Sequence, residues 1–141
     1  MSAKQISVFL ENKPGTLKKM TAALSEAKIN IRALSVVDTR DFGIVRMLVN
    51  DTFNATSVLN EAGFITSLKK VLIYEIHDEA GSLDSVLEKF EDLNINIEYM
   101  YAFAGKNGAY MVFRVAKAEE AEAFLRKNGL HSLSDEDMAR V

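Results

Sequence analysis

Asn12-Lys13-Pro14-Gly15-Thr16-Leu17 is the stretch whose residue types and spacing can do chemistry. It holds the only proline of the chain and lies where a strand pattern becomes a helix pattern. Proline fixes its own φ and lacks an N–H, glycine tolerates close backbone approach, and the helix beyond begins with donors that no carbonyl has claimed. A turn built this way aims free N–H groups outward and can receive a carboxylate. The same residues also read as an ordinary strand-to-helix turn in which Pro-Gly is punctuation.

The chain writes this turn twice. Tyr74 to Leu83 overlays Val8 to Leu17, so that Gly81 follows Gly15 by 81 − 15 = 66 positions. The same offset pairs Leu17 with Leu83, Ile29-Asn30-Ile31 with Ile95-Asn96-Ile97, Val49 with Val115 and Gly63 with Gly129. One offset shared by so many matches marks an internal duplication.

Other chemistries find little support. With no cysteine there is no disulfide, thiolate nucleophile or thiolate metal site, and His77 and His131 are the only imidazoles, so neither a cofactor nor a structural metal is expected. Neither histidine has a Ser or carboxylate companion at a motif spacing, which argues against an enzyme. Glu119-Glu120 and Asp135-Glu136-Asp137 are runs of neighbouring acids, and adjacent helical residues do not face one another, so these read as solvated faces. Gly105-Lys106-Asn107-Gly108 lies between two strand patterns and reads as a hairpin turn. A formal charge of −3 and a pI near 5.4, with lysines scattered among acids, give no general attraction to nucleic acid. No apolar run approaches the ~20 residues needed to span a bilayer, and no signal-peptide core precedes the first strand, so a cytosolic location is expected.

The elements that must position the turns follow from periodicity. In Gln5 to Leu10, Ile6, Val8 and Leu10 alternate with Gln5 and Ser7, the pattern of a half-buried strand. Leu17, Met20, Leu24 and Ala27 then form one helical stripe, and Ile29-Asn30-Ile31 opens a second strand that runs through Val37. Residues 38–43 make a polar hairpin connection, Ile44 to Val49 a third strand, Ala55, Val58, Leu59 and Ala62 a short helix ended by Gly63, and Phe64 to Leu68 a fourth strand. Lys69-Lys70 is the only polar break before the order repeats. In the second copy Leu83, Val86, Leu87 and Phe90 make one stripe, and Ala118, Ala121, Phe124 and Leu125 another. Ser134 to Asp137 has the form of a capped acidic first turn, read either as a short helix or as a frayed tail.

Each copy is therefore a split β-α-β unit, and the fold class is α+β. Two tandem ferredoxin-like βαββαβ domains are expected, residues 1–70 and 71–141, each an antiparallel sheet with helices on one face. Two superficially similar activities meet obstacles. Acylphosphatases place an arginine in the first loop, where this chain has Asn12-Lys13 and Asp78-Glu79. RNA-recognition modules stack bases on strand aromatics. Tyr99, Tyr101 and Phe103 alternate onto one face, with Phe113 on the next strand, but the first copy has Ala33, Ser35 and Val37 there and no basic residues frame the aromatics. An interface between sheets or chains also uses aromatics.

The Asn-x-Pro-Gly-x-Leu turn of Asn12 to Leu17, followed by an amphipathic helix and by Asn30-Ile31, resembles the ACT domain, a small-molecule sensing module appended to enzymes of amino-acid metabolism such as 3-phosphoglycerate dehydrogenase and aspartate kinase. Here the resemblance covers nearly the whole chain as two copies with no catalytic domain attached. It implies a regulatory, allosteric, non-enzymatic protein that binds a free amino acid where the first loop of one domain meets the second-strand region of another. It further implies that the N–H groups of Gly15, Thr16 and Leu17 receive the ligand carboxylate, that Asn12 and Asn30 face its ammonium, and that Lys13, Pro14 and Ile31 complete the motif. Carried onto the second copy, the positions are Asp78, Gly81, Ser82, Leu83, Asn96 and Ile97, with Asp78 a charged ammonium partner. Ala80 stands where the motif proline belongs, and Leu10 where dehydrogenase-type loops carry a histidine. Asn30 and Asn96 read equally well as residues that end helices or cap strands. A homodimer is implied, with a biosynthetic enzyme as a further partner and neither nucleic acid nor membrane. The rival reading is a ligand-free interaction subunit that docks on such an enzyme.

Overall fold

The computed structural model describes residues 3–38, 41–106 and 108–141. The chain packs as two units, residues 4–69, and residues 70–141 joined by Ala3.

The first unit runs β1 (Ala3–Glu11), α1 (Thr16–Glu26), β2 (Ile31–Asp38), β3 (Phe42–Val49), α2 (Thr52–Glu61) and the opening residues of β4 (Ile65–Ile76). β3 lies between β1 and β2, antiparallel to both, with Val8 and Val36 each opposite Val45. Residues directly opposite share a face, so Ile6, Val8 and Leu10 join Val45 and Met47 beneath Met20 and Leu24 of α1 and Ala55 and Leu59 of α2. Thr39 and Arg40, within the expected hairpin connection, lie outside the described residues.

β1 differs from the half-buried strand that its alternation implies. Gln5 and Ser7 are 0% and 4% exposed, and Gln5 Nε2 donates to Ser7 Oγ at 3.1 Å. Residues two apart in a strand share a face, so the two polar groups satisfy one another where water does not reach.

The second unit runs through the rest of β4, then α3 (Ser82–Asp92), β5 (Ile97–Ala104), β6 (Ala109–Val115), α4 (Ala118–Lys127) and α5 (Asp135–Met138). β6 pairs antiparallel with β4 and β5. The core is aromatic. Phe90 packs on Phe113 with ring centroids 4.7 Å apart, and Tyr74 meets Phe90 edge-on at 6.3 Å. Phe113 is thus interior, and Tyr110 instead stacks on Phe103 at 5.2 Å. Asn107, in the expected hairpin turn, lies outside the described residues, while Gly105 N–H donates to the Gly108 carbonyl at 2.8 Å.

The helix ends repeat at the offset of 66. Lys28 and Asn94 both adopt positive φ, 59° and 55°, and Ile29 and Ile95 each donate 2.9 Å bonds five residues back, to Leu24 and Phe90. Gly63 and Gly129 end α2 and α4 at φ 92° and 87° with the matching bonds from Phe64 to Leu59 and from Leu130 to Leu125, both 2.9 Å. Each is a Schellman-type closure that satisfies carbonyls the helix leaves open.

Two features depart from the local pattern. Lys69 and Lys70 interrupt nothing: β4 continues through them for 12 residues, because a backbone ladder is indifferent to outward-pointing charge. In the second unit, residues 130–134 form no strand. Leu133 N–H donates to the Ile73 carbonyl at 2.9 Å, and Ser132 Oγ accepts from Ile73 N–H at 3.1 Å, so a side chain takes one place in the ladder. The chain then enters α5 through a full capping box between Ser134 and Asp137. Hydrogen bonds from the Ser134 backbone and hydroxyl hold the Asp137 carboxyl below the usual range.

Candidate functional site

The duplicated turns adopt one backbone geometry. Gly15 sits at φ 90°, ψ −16°, and Gly81 at φ 90°, ψ −10°, the left-handed region that glycine enters without a steric penalty. Lys13 and Glu79 each donate to the carbonyl two residues back, on Glu11 and His77, at 2.9 Å. Lys19 and Ser85 close the first helical bonds to the Gly15 and Gly81 carbonyls at 3.0 Å. The N–H groups ahead of those bonds belong to the first turn, where the helix itself offers them no acceptor.

The first turn is braced by its threonine. Thr16 Oγ1 donates to the Glu11 carbonyl at 2.8 Å and lies 3.0 Å from the Lys13 carbonyl, while Asn12 N–H donates to the Asp41 carbonyl at 3.1 Å. Above it opens a pocket of about 580 Å³, lined by Phe9, Leu10, Glu11, Lys13, Pro14, Gly15, Thr16 and Lys19, with Phe42 from β3 and Gly63, Phe64 and Ile65 from the turn into β4. Lys13 Nζ contacts Glu11 Oε2 at 2.9 Å, and that hydrogen bond holds the Glu11 carboxyl below its ordinary range. Lys19 Nζ hangs 5.6 Å from the centre of the Phe64 ring, within cation–π reach.

The second turn opens a pocket of about 420 Å³, lined by Glu75, Ile76, His77, Glu79, Ala80, Gly81, Ser82, Ser85, Val86, Lys89 and Leu130. Ser85 Oγ donates to the Gly81 carbonyl at 3.1 Å, and Lys89 Nζ to the Asn128 carbonyl at 2.8 Å. The lining repeats that of the first pocket at the offset of 66 while its chemistry changes: Lys13 becomes Glu79, Lys19 becomes Ser85, and Phe9 becomes Glu75. Among the described residues no group of three or more His, Cys, Asp or Glu is placed to hold a metal ion, and no helix is long and apolar enough to cross a membrane.

The structure brings together part of the expected set. Lys13, Pro14, Gly15 and Thr16 line the first pocket, and Gly81 and Ser82 the second. Asn12, Leu17, Asp78 and Leu83 belong to the turns but not to the pocket walls; Asn12, Leu17 and Asp78 are exposed, and Leu83 packs against the second core. Asn30 lines neither pocket, and its backbone is held ahead of β2: its N–H donates to Asn50 Oδ1 at 3.0 Å and its carbonyl accepts from Asn50 N–H at 3.2 Å. Ile31 and Ile97 pack against their cores, and Asn96 is exposed just ahead of β5.

The sequence reading missed Lys19, Phe42, Phe64, Glu75, Ser85 and Lys89 as pocket residues. One signal was available. Gly63 and Gly129 keep the offset of Gly15 and Gly81, which marks the turn after the second helix as the element that would close each pocket.

A family model described as an ACT domain pair matches residues 1–141. Among solved structures, protein BT0572 from Bacteroides thetaiotaomicron is similar at 33% identity over 100% of this chain and 98% of that one, with a TM-score of 0.92. The ligand-free regulatory subunit of aspartate kinase from Thermus thermophilus is 19% identical over 89% of each chain, with a TM-score of 0.64, a likeness of fold. E. coli aspartokinase III, solved with lysine and aspartate, aligns to 89% of this chain with 30% of its own length, at 15% identity and a TM-score of 0.50. A search of curated proteins finds no match. With one turn geometry written twice and the family model spanning both copies, the chain belongs to the ACT domain pair family.

Proposed function

We propose that this protein is a non-enzymatic regulatory sensor of free amino acids. The observation that supports the reading is the repeated cradle: the same glycine-hinged turn opens a pocket in each unit, beside first-turn N–H groups for which the helix itself has no acceptor. A free amino acid suits such a place, since its carboxylate takes backbone donors that need no particular side chain. The regulatory subunit of aspartate kinase shares the fold, which agrees with a module that reports a metabolite instead of transforming it. Reporting requires that the ligand bind two arrangements of the protein unequally, and a homodimer in the cytosol supplies such arrangements. Self-association is supported at β2, the outer strand of β2-β3-β1, where Leu34, Val36 and Val37 are 40%, 49% and 41% exposed. Asn12, exposed and engaged through its backbone, remains a proposed ammonium partner, as does Asp78 in the second turn.

Thermal unfolding against each common amino acid at millimolar concentration tests the reading. A ligand at about 100 times its Kd stabilises by ~2.7 kcal/mol, which raises Tm by roughly 5 to 10 °C for a chain of this size. A shift confined to one or two chemical classes is expected. A folded protein that no amino acid stabilises would instead be the ligand-free subunit that docks on an enzyme.

A further inference from the structure

The two pockets share a backbone and oppose each other in chemistry. At the first, Phe9, Phe42 and Ile65 are 43%, 56% and 69% exposed around one opening, and Phe64 forms the wall beneath Lys19. Exposed aromatics that converge on a concave surface leave apolar area that a ligand side chain can cover, and a volume of about 580 Å³ accommodates a ring. Its formal charges are Lys13, Lys19 and Glu11, a balance of +2 − 1 = +1. At the second, Ile76, Val86 and Leu130 supply less apolar wall, no Phe, Tyr or Trp lines it, and the formal charges of Lys89, Glu75 and Glu79 give a balance of +1 − 2 = −1. Lys89 is already turned to the Asn128 carbonyl, so the two glutamates set the field over the second opening.

Building on the sensing reading above, we infer that the protein binds two classes of amino acid at once, one with an aromatic or large apolar side chain at the Gly15 pocket and one with a cationic side chain at the Gly81 pocket. The common backbone takes the α-carboxylate in both. Selection falls to the side chains, because a cation at the first opening meets Lys13 and Lys19, the latter already over Phe64, with no carboxylate to offset them beyond Glu11, which Lys13 already holds. In the second pocket Glu75 and Glu79 offer a cation two acceptors, and an aromatic ring finds no phenylalanine to pack against.

Titration calorimetry of the full chain with L-phenylalanine and with L-arginine, alone and each in the presence of the other, reads this directly. Both should bind without competing. Phe42→Ala should weaken L-phenylalanine by tenfold or more and leave L-arginine unchanged; the paired change Glu75→Gln with Glu79→Gln should do the reverse. All three positions are exposed, so the fold tolerates the changes. Competition between the two amino acids, or one substitution weakening both alike, would overturn the division of labour while leaving amino-acid sensing intact. If none of the common amino acids binds either pocket, the sensing reading fails and the division falls with it.

Discussion

The turns around Gly15 and Gly81 have the same backbone although only one contains a proline. Their φ values are both 90°, and the hydrogen bonds that frame them agree to within 0.2 Å, at 3.5 and 3.3 Å from Thr16 and Ser82 back to Lys13 and Glu79. Ala80 in place of Pro14 therefore leaves the geometry intact. The glycine and the helix start determine the shape, and proline only narrows the unfolded ensemble that must find it. Freed from shaping the loop, the surrounding side chains diverge from lysine and phenylalanine on one side to glutamate on the other.

The cores allow the comparison to be tested most strongly. Leu24 and Phe90 occupy equivalent positions, since 90 − 24 = 66, and are 0% and 1% exposed. Phe90→Ala should destabilise by ~3–5 kcal/mol, since Phe90 contacts both Tyr74 and Phe113, and Leu24→Ala by ~2–5 kcal/mol, each measured by urea unfolding. A Phe90→Ala loss under about 1 kcal/mol would mean that the aromatic cluster does not hold the second unit together. Next come the hinges. A Cβ at Gly15 or at Gly81 meets nothing within 4 Å, so Gly15→Ala and Gly81→Ala should cost ~1–2 kcal/mol from backbone strain alone, and equally. Unequal costs would show that the matching φ values conceal different surroundings.

Exchanging the residue before each hinge should have a smaller effect. Ala80→Pro should stabilise and Pro14→Ala destabilise, each by ~0.4–1 kcal/mol, if the two turns are interchangeable; destabilisation by Ala80→Pro would break the equivalence. The smallest effect concerns Glu11, whose partner in the repeat is His77. Lys13 lowers the Glu11 carboxyl below its ordinary value of 4.5, so this pair stabilises the fold above that value and the contribution fades as pH falls from there through the lowered value of the folded state. Between about pH 5 and about pH 3 the unfolding midpoint of the natural chain should fall slightly further than that of Glu11→Gln, and equal slopes would mean that the pair contributes nothing.

Much of the fold is legible because its determinants are local. Met20 and Leu24 declare the buried helix face, while Leu17 of the same stripe is exposed, and Gly63 and Gly129 mark where helices stop. The site is only half legible. Pro14, Gly15 and Thr16 are adjacent in sequence, whereas Phe42 and Phe64 reach the same pocket from elements that composition cannot bring together. Asn30 shows the limit of a motif: the clamp at that position uses only its backbone, and the side chain that accepts its N–H belongs to Asn50, 20 residues away.

By itself the sequence determined the duplication at 66 residues, the glycine hinge in each copy and the alternation of strands with amphipathic helices, since these follow from turn stereochemistry and from periods of 2 and 3.6. Tertiary structure alone decided that β4 runs unbroken through Lys69 and Lys70, that Gln5 and Ser7 are buried, and that Ser132, 59 residues from Ile73, replaces a strand bond with a hydroxyl. Pairing and burial depend on which distant groups arrive to exclude water and complete hydrogen bonds, and no local pattern records that arrival.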